Sequence, residues 1–548
     1  MGITAITIEN FKGIREPVRV ELKPITLLFG PNSAGKSTII QALHYAREIF
    51  ERENLNPDRT LIGGDTIDLG GFESLVHRHD KSLPIKIRFD INLKGENLPN
   101  YEEDLFDETQ SEFEDPFNEI LTKVRSAWVE VSIEWSNHVN RPLVKRYNVG
   151  VNKKELAEIG TSDDGRQVFL SRIEPFNPVF LAESNNKEAI NLSIKLVEGA
   201  ETLSDDEVNR MGIVFWRLFT LFDVKNGVAG LTRPINLVQQ SALPRWGKAF
   251  LIDAEDWNPD AFDDYENHQS FVNLLSSLII GPGEFIRNAL RKICYLGPLR
   301  VIPPRNFIPV STLDESRWAN GMAAWDILFN EEDTFREKVN RWLSDKERFN
   351  AGYRVVVKKY KELDVGDPVT IAMMRDSFLD EEATMSRHLM NLPIFRRLLL
   401  LEEMNNIEVQ PLDIGVGISQ VLPVIVAALS AKTGFVAIEQ PALHIHPALQ
   451  VALGDLFIEQ VREYPDLKFI LETHSEHLML RFLRRIRETG EGSLAPPAQK
   501  LSPEELAIYY TEQSEEGVRF TPIRVNEEGD FIDRWPHGFF DERAEELF

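Results

Sequence analysis

Gly30 to Ser37, read as Gly-Pro-Asn-Ser-Ala-Gly-Lys-Ser, constrains this chain more than any other stretch. Two glycines separated by four residues, then Lys and Ser, fit the pattern of a phosphate-binding loop. Before it, residues 25–29 (Ile-Thr-Leu-Leu-Phe) form a short apolar run suited to a strand. After it, Ile39, Ala42, Leu43, Ala46 and Ile49 recur with helical spacing. A strand feeding a glycine loop that opens a helix aims several backbone N–H groups at one spot. The helix start adds roughly half a positive charge there. Gly30 and Gly35 let the backbone close around phosphate oxygens where a Cβ would obstruct it. Lys36 is placed to reach the β- and γ-phosphates and Ser37 to ligate Mg²⁺. Asn32, Ser33, Ala34, Gly35 and Thr38 supply the rest of the cradle. The chain is expected to bind a nucleoside triphosphate.

At 548 residues the chain exceeds what one hydrophobic core supports, so several domain-sized units are expected. Its 61 basic and 87 acidic side chains leave a net charge of −26, which argues against broad coating of nucleic acid. A single cysteine, Cys294, excludes a disulfide framework or a Cys-rich zinc site within the chain and suits a reducing, cytoplasmic setting. Cys294 itself reads as a small core residue. No leader pattern and no apolar run of about 20 residues is present, so no membrane association is expected.

Residues 1–29 read as two or three strands, and 83–93 and 127–135 alternate as half-buried antiparallel strands. Between them, residues 101–120 carry acids and no base, as a solvated loop or helix face does. Helical spacing dominates from about 185 to 292, most clearly in 211–222 and 271–294, and returns as one amphipathic helix over 321–346. Residues 353–373 look β-rich. The last third alternates strand and helix: strands at 434–438 and 467–471, helices at 447–464 and 477–487. A linker follows over 490–503, rich in Gly, Pro, Ser and Ala.

A phosphate loop needs a partner carboxylate for Mg²⁺, ordinarily at the end of a hydrophobic strand. Glu439, closing Phe435-Val-Ala-Ile438, is the candidate. It lies about 400 residues beyond Lys36, far more than a compact domain separates such groups. The simplest geometry is one α/β head built from both chain ends around an insertion. The expected division is 1–150 for the N-terminal part of the head and 151–400 for a mainly helical insertion with some β. Residues 401–490 are then the C-terminal part of the head, and 491–548 a linker and small C-terminal segment. Two more stretches fit the same site. Gly415-Val-Gly417-Ile-Ser419-Gln420 is a glycine-rich turn entering an apolar helix. Glu472-Thr-His474-Ser-Glu-His477 sets an imidazole at the carboxyl end of a buried strand, where α/β sheets bind ligands. His444-Ile-His446 lacks the further ligands of a metal site.

In order, Asn-Phe-Lys-Gly13, the phosphate loop, Gly-Val-Gly-Ile-Ser-Gln420, Ile-Glu-Gln-Pro441 and Glu-Thr-His-Ser-Glu-His477 resemble the OLD-like group of ABC-type AAA ATPases, relatives of the SMC and RecF heads. This organisation is similar to that of the PtuA ATPases of Septu and retron anti-phage systems, and Trp535-Pro-His-Gly-Phe-Phe540 resembles the C-terminal region of one subgroup. The resemblance covers about residues 1–95 and 405–548, with a patch around Gly297-Pro-Leu-Arg300. It implies an ABC-type P-loop ATPase head using ATP and Mg²⁺, with Ser37 and Glu439 on the metal and Glu439, Gln440 and His474 as the catalytic set. Gly417 and Ser419 match a signature turn that reaches the nucleotide of an opposing subunit, which implies a dimer of heads or a higher oligomer. Arg300 is expected at the nucleotide or the dimer interface. Gln440 stands where such heads generally carry Glu, and Ala442 where the subgroup often has Glu. Either the implied ATP hydrolysis is slow or impaired, or its base comes from elsewhere, or Ala442 is a substitution introduced to trap the bound state. A glutamine orients water but does not accept its proton.

The chain lacks the acidic constellation of a TOPRIM nuclease; Asp530 and Asp533 read as part of a turn. The resemblance thus implies an ATPase that regulates or scaffolds a separate effector subunit, such as an HNH nuclease, in anti-phage defence. A DNA-maintenance head that binds duplex DNA directly is the alternative. Nucleic acid (DNA, or retron RNA/DNA) is then a further partner. Arg287, Arg291, Lys292, Arg300 and Arg305, and the Arg481–Arg487 cluster, are either its groove or a solvated face.

Overall fold

The computed structural model describes residues 2–105, 118–174, 177–180, 224–225, 228–229, 241–250, 265–312, 314–374 and 382–536. The helix expected over 211–222 and most of the acidic stretch 101–120 lie outside them.

Ile25–Phe29 is buried at every position, as are all but the first residue of Gly434–Glu439 and all but Lys468 of Leu467–Glu472. Such runs belong in the middle of a parallel sheet covered on both faces. They lie in a six-stranded sheet ordered Cys294–Leu296, Gly434–Glu439, Leu467–Glu472, Ile25–Phe29, Leu506–Ser514, Gly517–Pro522. The first five strands run parallel and the last turns back as a hairpin. The strand that feeds the phosphate loop therefore has neighbours from residues 467–472 on one side and 506–514 on the other. Within the 491–548 segment, the hairpin belongs to the head sheet.

Strands with strict alternation build the other layer. Ile85–Asn92 buries every second side chain and sits in a nine-stranded sheet that runs from Val18–Glu21 through Gly2–Glu9 to the strands of residues 126–173 and 224–229. Lys154–Thr161 and Val168–Ile173 extend this antiparallel sheet into the segment expected to be mainly helical. Helices Thr38–Arg52 and Gly281–Leu290 touch each other, and the second also meets strands of both sheets. One apolar core joins the nine-stranded sheet, these helices and one face of the head sheet. Leu27, Phe29, Val436, Ile438 and Leu471 point to a second core under helices Met322–Asn330, Val416–Ser430, Pro447–Glu463 and Glu476–Gly490.

Two local expectations are corrected. The helix expected over 321–346 breaks into Met322–Asn330 and Asp333–Ser344, because Glu331 is extended and the buried Arg336 guanidinium takes the carbonyls of Leu328 and Glu331. Residues 353–373 are only half β: after strand Tyr353–Tyr360, Asp367 accepts the Val369 N–H at 2.9 Å and Pro368 opens a short helix.

Candidate nucleotide site

The phosphate loop leaves the central strand in backbone conformations that glycine alone adopts without strain. Gly30 has φ +147°, and a Cβ there would lie 2.2 Å from the Thr511 carbonyl oxygen on the adjacent strand. Gly35, at φ +94°, faces Val518 of the C-terminal hairpin. Asn32 and Ser33 are exposed at the tip, Ala34 and Thr38 buried beneath it, and Gln513 donates to the Ser33 carbonyl at 2.9 Å. Helix Thr38–Arg52 starts at Ser37 with neither a side-chain cap nor an acid in its first turn. Its first N–H groups and dipole are therefore available to an anion.

Lys36 is 4% exposed and donates to the Gly30 and Pro31 carbonyls at 3.1 and 2.8 Å. Burial lowers its pKa, opposed by the charges of Glu472 and Glu439. Both carboxylates therefore sit within electrostatic reach of one ammonium. The register explains this. Glu439 and Glu472 are paired at the ends of adjacent parallel strands, and Glu472 is paired with Leu28 on the loop-bearing strand. The strand of residues 467–472 thus stands between the loop and Glu439, and Glu472 receives the Ser37 hydroxyl at 2.6 Å.

Glu439 is held one strand further away, where Tyr295 donates to it at 3.0 Å. Glu472 is the candidate site residue that sequence reasoning passed over. Its position, next to the Thr-His pair, was in view, but nothing local told that its strand borders the loop. Two buried carboxylates and a hydroxyl suit Mg²⁺, which keeps several waters and completes its octahedron with phosphate oxygens. When bound, the ion would neutralise charge on the β- and γ-phosphates.

Burial, then repulsion from Glu472, raises Glu439 from 4.5 to about 7, and burial also raises Glu472. Folding thus gives Glu439 a higher pKa than the unfolded chain does. Between 4.5 and about 7 the folded state holds the extra proton. Its contribution is fully present below 4.5, is lost as pH climbs to about 7, and levels off above. The loss is on the order of 3 kcal/mol. Glu439→Gln should consequently raise the thermal midpoint of the nucleotide-free chain more at pH 8 than at pH 5.5. Equal shifts at both pH values would show that Glu439 ionises normally.

Gln440 turns the chain at φ +48° and donates its N–H to the Glu472 carbonyl at 2.7 Å. Its side chain, Ala442, Thr473, His474 and His477 line a cavity of ≈ 390 Å³. Burial and the Lys36 charge lower the His474 pKa, so its imidazole is neutral at pH 7 and can donate to a phosphate oxygen. Gly417 and Ser419 are placed differently. The atoms nearest a Cβ at Gly417 belong to His444 and Ile445, and the fully buried Ser419 hydroxyl donates to the Val416 carbonyl at 2.9 Å. His446 caps helix Pro447–Glu463 through its Nδ1, and no metal-binding cluster of three His, Cys, Asp or Glu occurs among the described residues.

Arg300 is 4% exposed and donates to backbone carbonyls of Glu439, Gln440 and Gln420.

Residues 1–201 match the model of the AAA ATPase domain, and 326–480 match a family described as "AAA domain, putative AbiEii toxin, Type IV TA system". Both matches are thus to AAA domain families, one over the stretch that carries the phosphate loop and one over the stretch that carries the two strand-end carboxylates. The first match supplies the phosphate loop; the second supplies Gly417, Glu439, Glu472 and His474. Residues 501–548 match a protein family of unknown function, DUF3696. No curated protein matches the chain.

Among solved structures, the Smc head bound to the C-winged helix domain of ScpA aligns at 7% identity over 96% of this chain and 98% of that one, with a TM-score of 0.35. The SMC head domain from Thermotoga maritima aligns at 9% identity over 96% and 100%, with a TM-score of 0.34. No helix among the described residues is long and apolar enough to cross a membrane.

Proposed function

We propose that the chain is an ABC-type ATPase head that closes as a dimer around Mg-ATP, hydrolyses it slowly, and regulates or scaffolds a separate effector nuclease in anti-phage defence. The observation that carries the nucleotide part is the convergence of Lys36, Ser37, Glu472 and Glu439 at one end of a parallel sheet. In this reading Lys36 leaves the loop carbonyls for the β- and γ-phosphates, Ser37 and the two carboxylates hold Mg²⁺, and His474 donates to the γ-phosphate. Gln440 orients the attacking water. Dimerisation is supported by the flank of the signature turn, where Leu299, Ile308, Leu412 and Val416 are exposed apolar side chains. Such a patch suits a second copy. The toxin–antitoxin system named in the second family's description favours defence over DNA maintenance.

Sedimentation with and without Mg-ATP tests the dimer: a shift from monomer to dimer is expected, and a monomer at saturating Mg-ATP would remove it. Binding of duplex DNA by the chain alone, with a steep salt dependence, would favour the DNA-maintenance reading. Ala442→Glu places a carboxylate in the cavity beside Gln440 and His474. It should raise steady-state phosphate release by roughly tenfold, less than the roughly hundredfold or more of a fully positioned base, because Gln440 still occupies the neighbouring position. No change would leave position 442 without a catalytic part.

A further inference from the structure

Arg300 follows the Gly297-Pro298 turn beyond strand Cys294–Leu296 and joins two elements that meet nowhere else through charged hydrogen bonds among the described residues. One guanidinium nitrogen donates to the carbonyls of Glu439 at 2.7 Å and Gln440 at 3.1 Å, at the end of the catalytic strand. The other donates to the Gln420 carbonyl at 3.4 Å, in the first turns of helix Val416–Ser430. The Gln420 amide grips in return, its Nε2 donating to the Arg300 carbonyl at 2.8 Å and its Oε1 accepting the Arg300 N–H at 3.3 Å. Gly321 lies against the Arg300 stem: a Cβ there would come within 3.1 Å of the Arg300 Cβ. Burial lowers the guanidinium to about 10, so it remains a cation at neutral pH.

A planar fork of donors satisfies several carbonyls at fixed angles, which a single ammonium does not. We propose that Arg300 is a positioning residue that makes the signature turn and the Glu439–Gln440 strand end move as one body. Whatever engages Gly417–Ser419 is then felt at the groups around the γ-phosphate. The inference rests on the nucleotide-site reading above and assigns Arg300 no contact with the nucleotide.

Full-length Arg300→Lys, which keeps the charge and most of the stem, is the test. In the nucleotide-free protein, amide exchange over 418–424 and over 440–443 should accelerate together by roughly tenfold or more, while 2–9 and 85–92 keep wild-type protection. In Mg-ATP, kcat for phosphate release should fall by about tenfold or more with KM within about threefold. Gln420→Ala should give the same split, and the double variant should be no worse than the poorer single one.

Loosening of one segment only, uniform loss of protection, additive losses, or a raised KM at unchanged kcat would overturn the proposal. A wild-type chain that neither binds Mg-ATP nor releases phosphate would overturn the ATPase reading instead, and the exchange comparison would still decide the clamp.

Discussion

Lys36→Ala is expected to weaken Mg-ATP binding by about a hundredfold, equivalent to about 3 kcal/mol, while leaving the fold intact. The size follows from the loss of charge-assisted hydrogen bonds to phosphate in a partly desolvated cradle. The intact fold follows from what Lys36 does without nucleotide: it only folds back onto the Gly30 and Pro31 carbonyls, and its burial already disfavours its charge. Titration calorimetry of the variant beside wild type measures the effect, with melting curves as the control. Affinity within about threefold of wild type would mean that the loop is not the phosphate site.

Glu472→Gln should separate metal from nucleotide. The amide oxygen can still accept the Ser37 hydroxyl, so the local structure persists, but one of the two buried negative charges is gone. With Mg²⁺ present, phosphate release should drop by about a hundredfold, since the ion loses a carboxylate that positions the phosphates. In the presence of a chelator the sign reverses: ATP should bind more tightly than to wild type, because repulsion between Glu472 and the triphosphate is removed. Weaker chelator-phase binding, or unchanged Mg-dependent turnover, would place the metal elsewhere. Running Glu439→Gln in parallel asks whether the more distant carboxylate acts through the same ion.

Much of this site was readable in the residues, and what was not has a physical reason. The phosphate loop declares itself because its glycines, its lysine and the flanking strand and helix are all local. Glu439 and His474 were likewise legible as polar ends of apolar strands. Glu472 was not, since strand order is a property of the sheet: only the pairing of Leu467–Glu472 with Ile25–Phe29 brings that carboxylate to Ser37. Arg300 was visible as a lone cation after a Gly-Pro turn, yet its burial beneath Gln420 depends on how helix Val416–Ser430 packs. The break at Glu331 escaped periodicity because both halves of 321–346 keep their apolar face in register across it. The strand Leu506–Ser514 falls within what reads only as a small C-terminal segment, and nothing local names Ile25–Phe29 as its partner.

That pairing has a consequence for biosynthesis. Ile25–Phe29, apolar but for Thr26, emerges from the ribosome early, and both of its lateral partners are made more than four hundred residues later. At about 5–20 residues per second the wait is on the order of a minute. Throughout it, the strand has two unsatisfied edges and depends on the earlier-made antiparallel layer, or on chaperones, to keep from aggregating. ATP affinity is consequently acquired last, and an immobilised-nucleotide resin should retain the finished polypeptide while nascent chains halted before residue 467 flow through.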